Sequence, residues 1–169
     1  MANRAHDILF VFLVFLLQLA LSRFVNLGAY VFICFIPLII TVIPLTDSPQ
    51  RTMILSFAVA LLFDFLSDGV MGLNSAAAVV AAALRKPLYR AFVNRDRQDK
   101  TSVPTAALVG TGKYLNYLTS VVAVYMLVYI ALDCISFRPL SFVALKFLVS
   151  TIVTSALSLL VSVSFLNRR

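Results

Sequence analysis

Asp64 and Asp68 stand four residues apart in a chain with no glutamate and one histidine, so any carboxylate chemistry draws on a short inventory. On a helix this spacing places both on one face, and Gly69, Gly72, Leu73 and Asn74 follow. A carboxylate inside an apolar span is costly and turns towards other helices or a cavity, which makes Asp64 a functional-site candidate. Asp68-Gly69 reads equally as a helix end with its turn. Lys146 lies in another apolar run, and since buried charges in membranes are paired, it is expected to face Asp64 or Asp68 across the bundle. A hydrolytic triad or zinc site is not expected, because His6 stands alone near the amino terminus and Cys34 and Cys134 lack ligand spacing. Gly110 and Gly112 precede Lys113 without the pattern of a phosphate loop. The inventory predicts no enzyme, no cofactor and no metal.

The elements that must position these residues are membrane helices. The chain has 169 residues, 62% hydrophobic and 12% charged, with a mean hydropathy of +1.00, a balance foreign to a soluble domain. The net charge of +7 does not point to nucleic acid, because the basic residues flank apolar runs as topology signals do. A single transmembrane domain over 1–169 is expected.

A span needs roughly 20 apolar residues, and the runs predict helices over about 7–24, 29–45, 51–67, 72–86, 114–132 and 140–166. The first, interrupted by Gln18, lacks a small-residue cleavage site and is read as a helix, not a signal sequence. Pro37 is expected to bend the second from its interior. The third and fourth are short for spans, so a re-entrant hairpin stays open, and Arg85 and Lys86 are expected to snorkel to the interface. A basic cytoplasmic loop over 85–105 contains Arg85, Lys86, Arg90, Arg95 and Arg97 and is expected to face anionic lipid or a partner. Leu88, Ala91 and Phe92 recur there at the spacing of an interfacial helix. Counting lysine and arginine by loop predicts six spans with both termini cytoplasmic, leaving Arg23 and Arg138 on the outer side.

The fourth helix is rich in alanine and should lie mid-bundle, where small residues let backbones approach. The sixth carries Lys146, Ser150, Thr154, Ser158 and Ser162, a stripe that should face protein, as a packing seam or a transport pathway.

Asp64 to Asn74, followed by an alanine-rich helix ending in Leu84-Arg85-Lys86-Pro87, resembles the signature of the rod shape-determining protein MreD family. Asn26 to Tyr30, Pro44-Leu45, Gly112-Lys113-Tyr114-Leu115 and the connection from Asp133 to Leu140 are similar in order and spacing. Many members with this motif have histidine where this chain has Asn74, so a hydrogen-bonding role carries over there and a titrating one does not. The resemblance implies an all-α integral membrane protein with six transmembrane helices in one bundle, similar to the substrate-binding subunits of energy-coupling-factor transporters. It implies a non-enzymatic scaffold of the bacterial cell-elongation complex in the cytoplasmic membrane. Its implied partners are MreC directly, with MreB, RodA and a penicillin-binding transpeptidase in the wider complex. The alternative is a small-molecule binding or transport subunit of the energy-coupling-factor type.

Overall fold

The computed structural model describes residues 2–24, 31–67, 70–93, 103–133 and 139–166. Its elements are α1 (Ala2–Phe24), α2 (Ile36–Val42), α3 (Pro49–Leu66), α4 (Leu73–Phe92), the single turn α5 (Ala106–Val109), α6 (Thr111–Asp133) and α7 (Leu140–Leu166), with no strand among the described residues.

The helices are inside-out relative to those of a water-soluble protein. On α7, Ser150, Thr154, Ser158 and Ser162 are buried, while Leu145, Leu148, Ile152 and Leu160 are exposed. On α3, Thr52, Ser56 and Asp64 face inward, while Ile54, Leu55, Leu62 and Phe65 face outward. Burying hydroxyls and exposing large aliphatic groups is favourable only where the surroundings are hydrocarbon, since backbone and side-chain polar groups must then find partners within the protein. Three helical stretches, Pro49–Leu66, Thr111–Asp133 and Ser141–Ser164, are long and apolar enough to cross a membrane. Among the described residues the chain is all-helical, with the helix lengths and composition of a membrane protein.

α4 packs most extensively against α3 on one side and α6 on the other, and α7 packs on α6. Ala77, Ala78, Ala81 and Ala82 are all buried at these contacts. With no side chain beyond Cβ, they let neighbouring backbones come close, and dispersion across that contact holds helices together where water exclusion cannot. α1 is held mainly through α2 and only lightly by α3.

Two expectations are corrected here. The second apolar run is not one helix: 31–35 is non-helical, and α2 has only seven residues, about 10 Å at 1.5 Å per residue. Pro37 therefore sits in the first turn of α2, where its missing N–H sacrifices no helical bond, and not at an interior bend. The fourth helix also does not give way to a loop at residue 86. It continues through Pro87 to Phe92, because Tyr89 and Val93 are buried and the Tyr89 ring meets Tyr117 of α6 edge-on at 5.3 Å. Arg85, Lys86 and Arg90 are thus helical residues.

Candidate functional site

Asp64 lies in the last turn of α3 and is buried, facing the start of α4. Between the two, Gly72 adopts φ +91°, a conformation that L side chains rarely take, although a Cβ there would meet nothing within 4 Å. The requirement for glycine is conformational, and the turn it allows aims the first N–H groups of α4 back at the carboxylate. Asp64 Oδ2 accepts from the Gly72 amide at 3.0 Å, the Ser75 amide at 3.2 Å and the Ser75 hydroxyl at 2.9 Å. Oδ1 accepts from Asn74 Nδ2 at 2.7 Å. The aspartate of one helix caps the next, where unpaired N–H groups and the helix dipole both favour negative charge.

The network continues inward. Tyr125 of α6 donates its hydroxyl to Asn74 Oδ1, and the Cys34 thiol lies 3.3 Å from the Tyr125 oxygen as a weak donor to it. The Asn74 amide is therefore oriented by two partners, its NH₂ to the carboxylate and its oxygen to the phenol. Four segments are joined: α3, α4, α6 and the non-helical stretch before α2. Ser75, Tyr125 and Cys34 were not singled out from sequence. Ser75 had a signal, a hydroxyl beside Asn74 at a helix start; nothing in sequence pairs Tyr125 with Asn74.

Lys146 does not face Asp64. Its ammonium lies 2.6 Å from Asp133 Oδ2 at the end of α6, with the two side chains 13% and 34% exposed. The pairing with Asp64 fails because Asp64 is already saturated by neutral donors and Asp133 lies just across the short connection between α6 and α7. Asp68 and Gly69 lie outside the described residues.

The basic loop also divides. Arg85 is completely buried, not lipid-facing. Its Nη1 donates to the carbonyls of Ile40 at 2.8 Å and Ile43, and its Nη2 to Pro44 O at 2.9 Å and Thr52 Oγ1 at 3.3 Å. The Ile40 and Ile43 carbonyls lie where α2 stops short, and Pro44 O also accepts from the Asp47 amide at 3.3 Å; a guanidinium fork suits a helix C-terminus by geometry and charge. Lys86 Nζ donates to the Asp47 carbonyl at 2.6 Å, fixing the same α2–α3 connection. Arg90 is exposed, and Arg95 and Arg97 lie outside the described residues.

The non-helical backbone before α2 is satisfied by side chains from two other helices. Gln18 of α1 donates to Ile33 O at 3.3 Å and accepts from the Phe35 amide at 2.7 Å. Ser150 Oγ accepts from the Phe32 amide at 3.0 Å, and Thr154 donates to Phe32 O at 3.4 Å. Farther along the stripe, the Ser162 hydroxyl lies 2.7 Å from that of Tyr114 on α6. Ser150, Thr154 and Ser162 thus join α7 to its neighbours, while the buried Ser158 hydroxyl has no hydrogen-bond partner among the described residues.

Beside Asn74 lies a cleft of about 260 Å³ lined by Ser22, Arg23, Phe32, Phe63, Ser67, Asn74 and Tyr129. Arg23 donates to Leu66 O at 3.1 Å on its rim, and the Phe32 and Tyr129 rings stack at 4.2 Å. Apolar walls with a few convergent polar groups are what small-molecule sites share.

Fold and site together define a helical membrane protein whose polar residues mainly join helices. Comparison of the chain with family models, with curated proteins and with solved structures finds no match.

Proposed function

We propose that this chain is a non-enzymatic scaffold subunit of the bacterial cell-elongation complex, of the MreD kind, coupling MreB filaments and MreC to peptidoglycan synthesis. In this reading it crosses the cytoplasmic membrane six times with both termini inside, and MreC is its direct partner. RodA and a penicillin-binding transpeptidase belong to the wider assembly, and anionic lipid meets its basic cytoplasmic face. Support comes from the motif in 64–74 together with one structural observation: its carboxylate is used up in joining helices. Asp64 accepts four hydrogen bonds from α4 and its preceding turn, and it lies in no ion pair among the described residues. A group so engaged serves rigidity, which a scaffold needs, more than ligand capture. The test is depletion of the protein in its native rod-shaped cells, with recovery of MreC on the tagged chain from their membranes. Rounded cells and co-purified MreC are expected; cells that keep their shape and a tag that brings down no MreC would reject the proposal.

The cleft beside Asn74 favours a second reading, a small-molecule binding or transport subunit. It predicts that mass spectrometry of the purified protein finds one small molecule per chain, lost on Tyr129→Ala. A scaffold yields none.

A further inference from the structure

A second cavity, on the other side of α2, is almost wholly apolar. Ile8 and Val11 of α1 form one wall, Leu55 and Val59 of α3 the other, and Ile39 and Val42 of α2 the floor, enclosing about 280 Å³. The groove exists because α2 is too short to fill the space between α1 and α3, which touch only lightly. Ile43, Pro44 and Asp47 of the α2–α3 connection complete its lining.

Its rim at the α2–α3 connection is charged. Arg51 stands one turn before Leu55 on α3. Arg51 is exposed, and its guanidinium makes no hydrogen bond or ion pair among the described residues. Lys86 reaches the same connection through its bond to the Asp47 carbonyl at 2.6 Å, and an ammonium has donors to spare beyond one. At this rim the Asp47 carboxylate is set against Arg51 and Lys86.

We propose that this groove holds one acyl chain of an anionic phospholipid whose phosphate sits at the rim between Arg51 and Lys86. Charge argues for an anionic headgroup, since a basic residue near the surface favours such lipids about fivefold. The inference takes up the anionic lipid of the proposed function but depends on membrane embedding and not on MreC, so either can fail without the other.

The experiment reconstitutes the full chain in vesicles of phosphatidylcholine with a minor share of phosphatidylglycerol. After extraction into mild detergent, native mass spectrometry counts retained lipid. One phosphatidylglycerol per chain is expected, enriched over its share of the vesicle. Val11→Phe and Val59→Phe, which fill the groove from opposite walls, should abolish retention while the protein elutes as a single folded species. Arg51→Gln, on the exposed rim and outside the packed core, should reduce the preference for phosphatidylglycerol about fivefold and still retain phosphatidylcholine. Equal retention of both lipids by the wild type would overturn the proposal. So would retention indifferent to both groove variants, or a wild-type dimer that those variants dissociate, which would assign the groove to a second copy.

Discussion

A single carboxylate ties the end of α3 to the start of α4. Asp64 holds two amides, a hydroxyl and a carboxamide, so Asp64→Ala leaves buried donors with no acceptor. At about 1 kcal/mol for each of the four orphaned groups, a loss of about 4 kcal/mol is expected, read as a lower midpoint of thermal unfolding in detergent. Tyr125→Phe removes the bond to Asn74 and the weak one from the Cys34 thiol and should cost about 1 kcal/mol. Lys146→Ala should cost no more than about 1 kcal/mol, because its pair with Asp133 is partly exposed and screened. Had Lys146 been the counter-charge of Asp64, its loss would match that of Asp64→Ala, so the ratio of the two measured effects tests the assignment. Asp64 was legible as special because a carboxylate among leucines and phenylalanines demands a partner. Which partner was not legible, because neutral N–H groups at a helix start satisfy a carboxylate as well as a lysine does.

At the scale of elements, the broken second helix organises the polar residues of its neighbours. Gln18 holds both a donor and an acceptor of the stretch before α2. Gln18→Leu should therefore destabilise the fold by about 2 kcal/mol or more, despite placing a better lipid-soluble residue in an apolar helix. A gain in stability from this substitution would show that the stretch is helical. At the other end of α2, Arg85→Lys keeps the charge but not the fork, and a point cation cannot meet carbonyls spread over Ile40, Ile43 and Pro44. Loss of about 2 kcal/mol is expected from the broken charged hydrogen bonds. α1, α3, α6 and α7 could be drawn from continuous apolar runs. α2 could not, because an apolar run has the same hydropathy whether helical or extended, and only side chains from α1 and α7 make the extended form tolerable.

For the molecule as a whole, the inside-out pattern establishes a membrane protein, and orientation belongs to the proposed function. In a background with Cys34 and Cys134 replaced by serine, Arg51→Cys and Val70→Cys stand at opposite ends of α3 and its following turn. The proposed topology predicts that an impermeant thiol reagent added to intact cells labels the second and spares the first. Labelling of both, or of the first alone, would reject it.

What the amino-acid order determined by itself was environment and class: long apolar runs, sparse charge, basic flanks and the lone carboxylate at a glycine turn. These depend on solvation and local stereochemistry, which each residue carries wherever it goes. The tertiary structure decided the partners. Asp64 against α4 and not Lys146, Arg85 inside and not at the lipid, and Ser150 and Thr154 on the backbone of Phe32 are all matters of distance between helices. Such distances follow from how alanines let α4 settle between α3 and α6, a property of packed surfaces that no single segment contains.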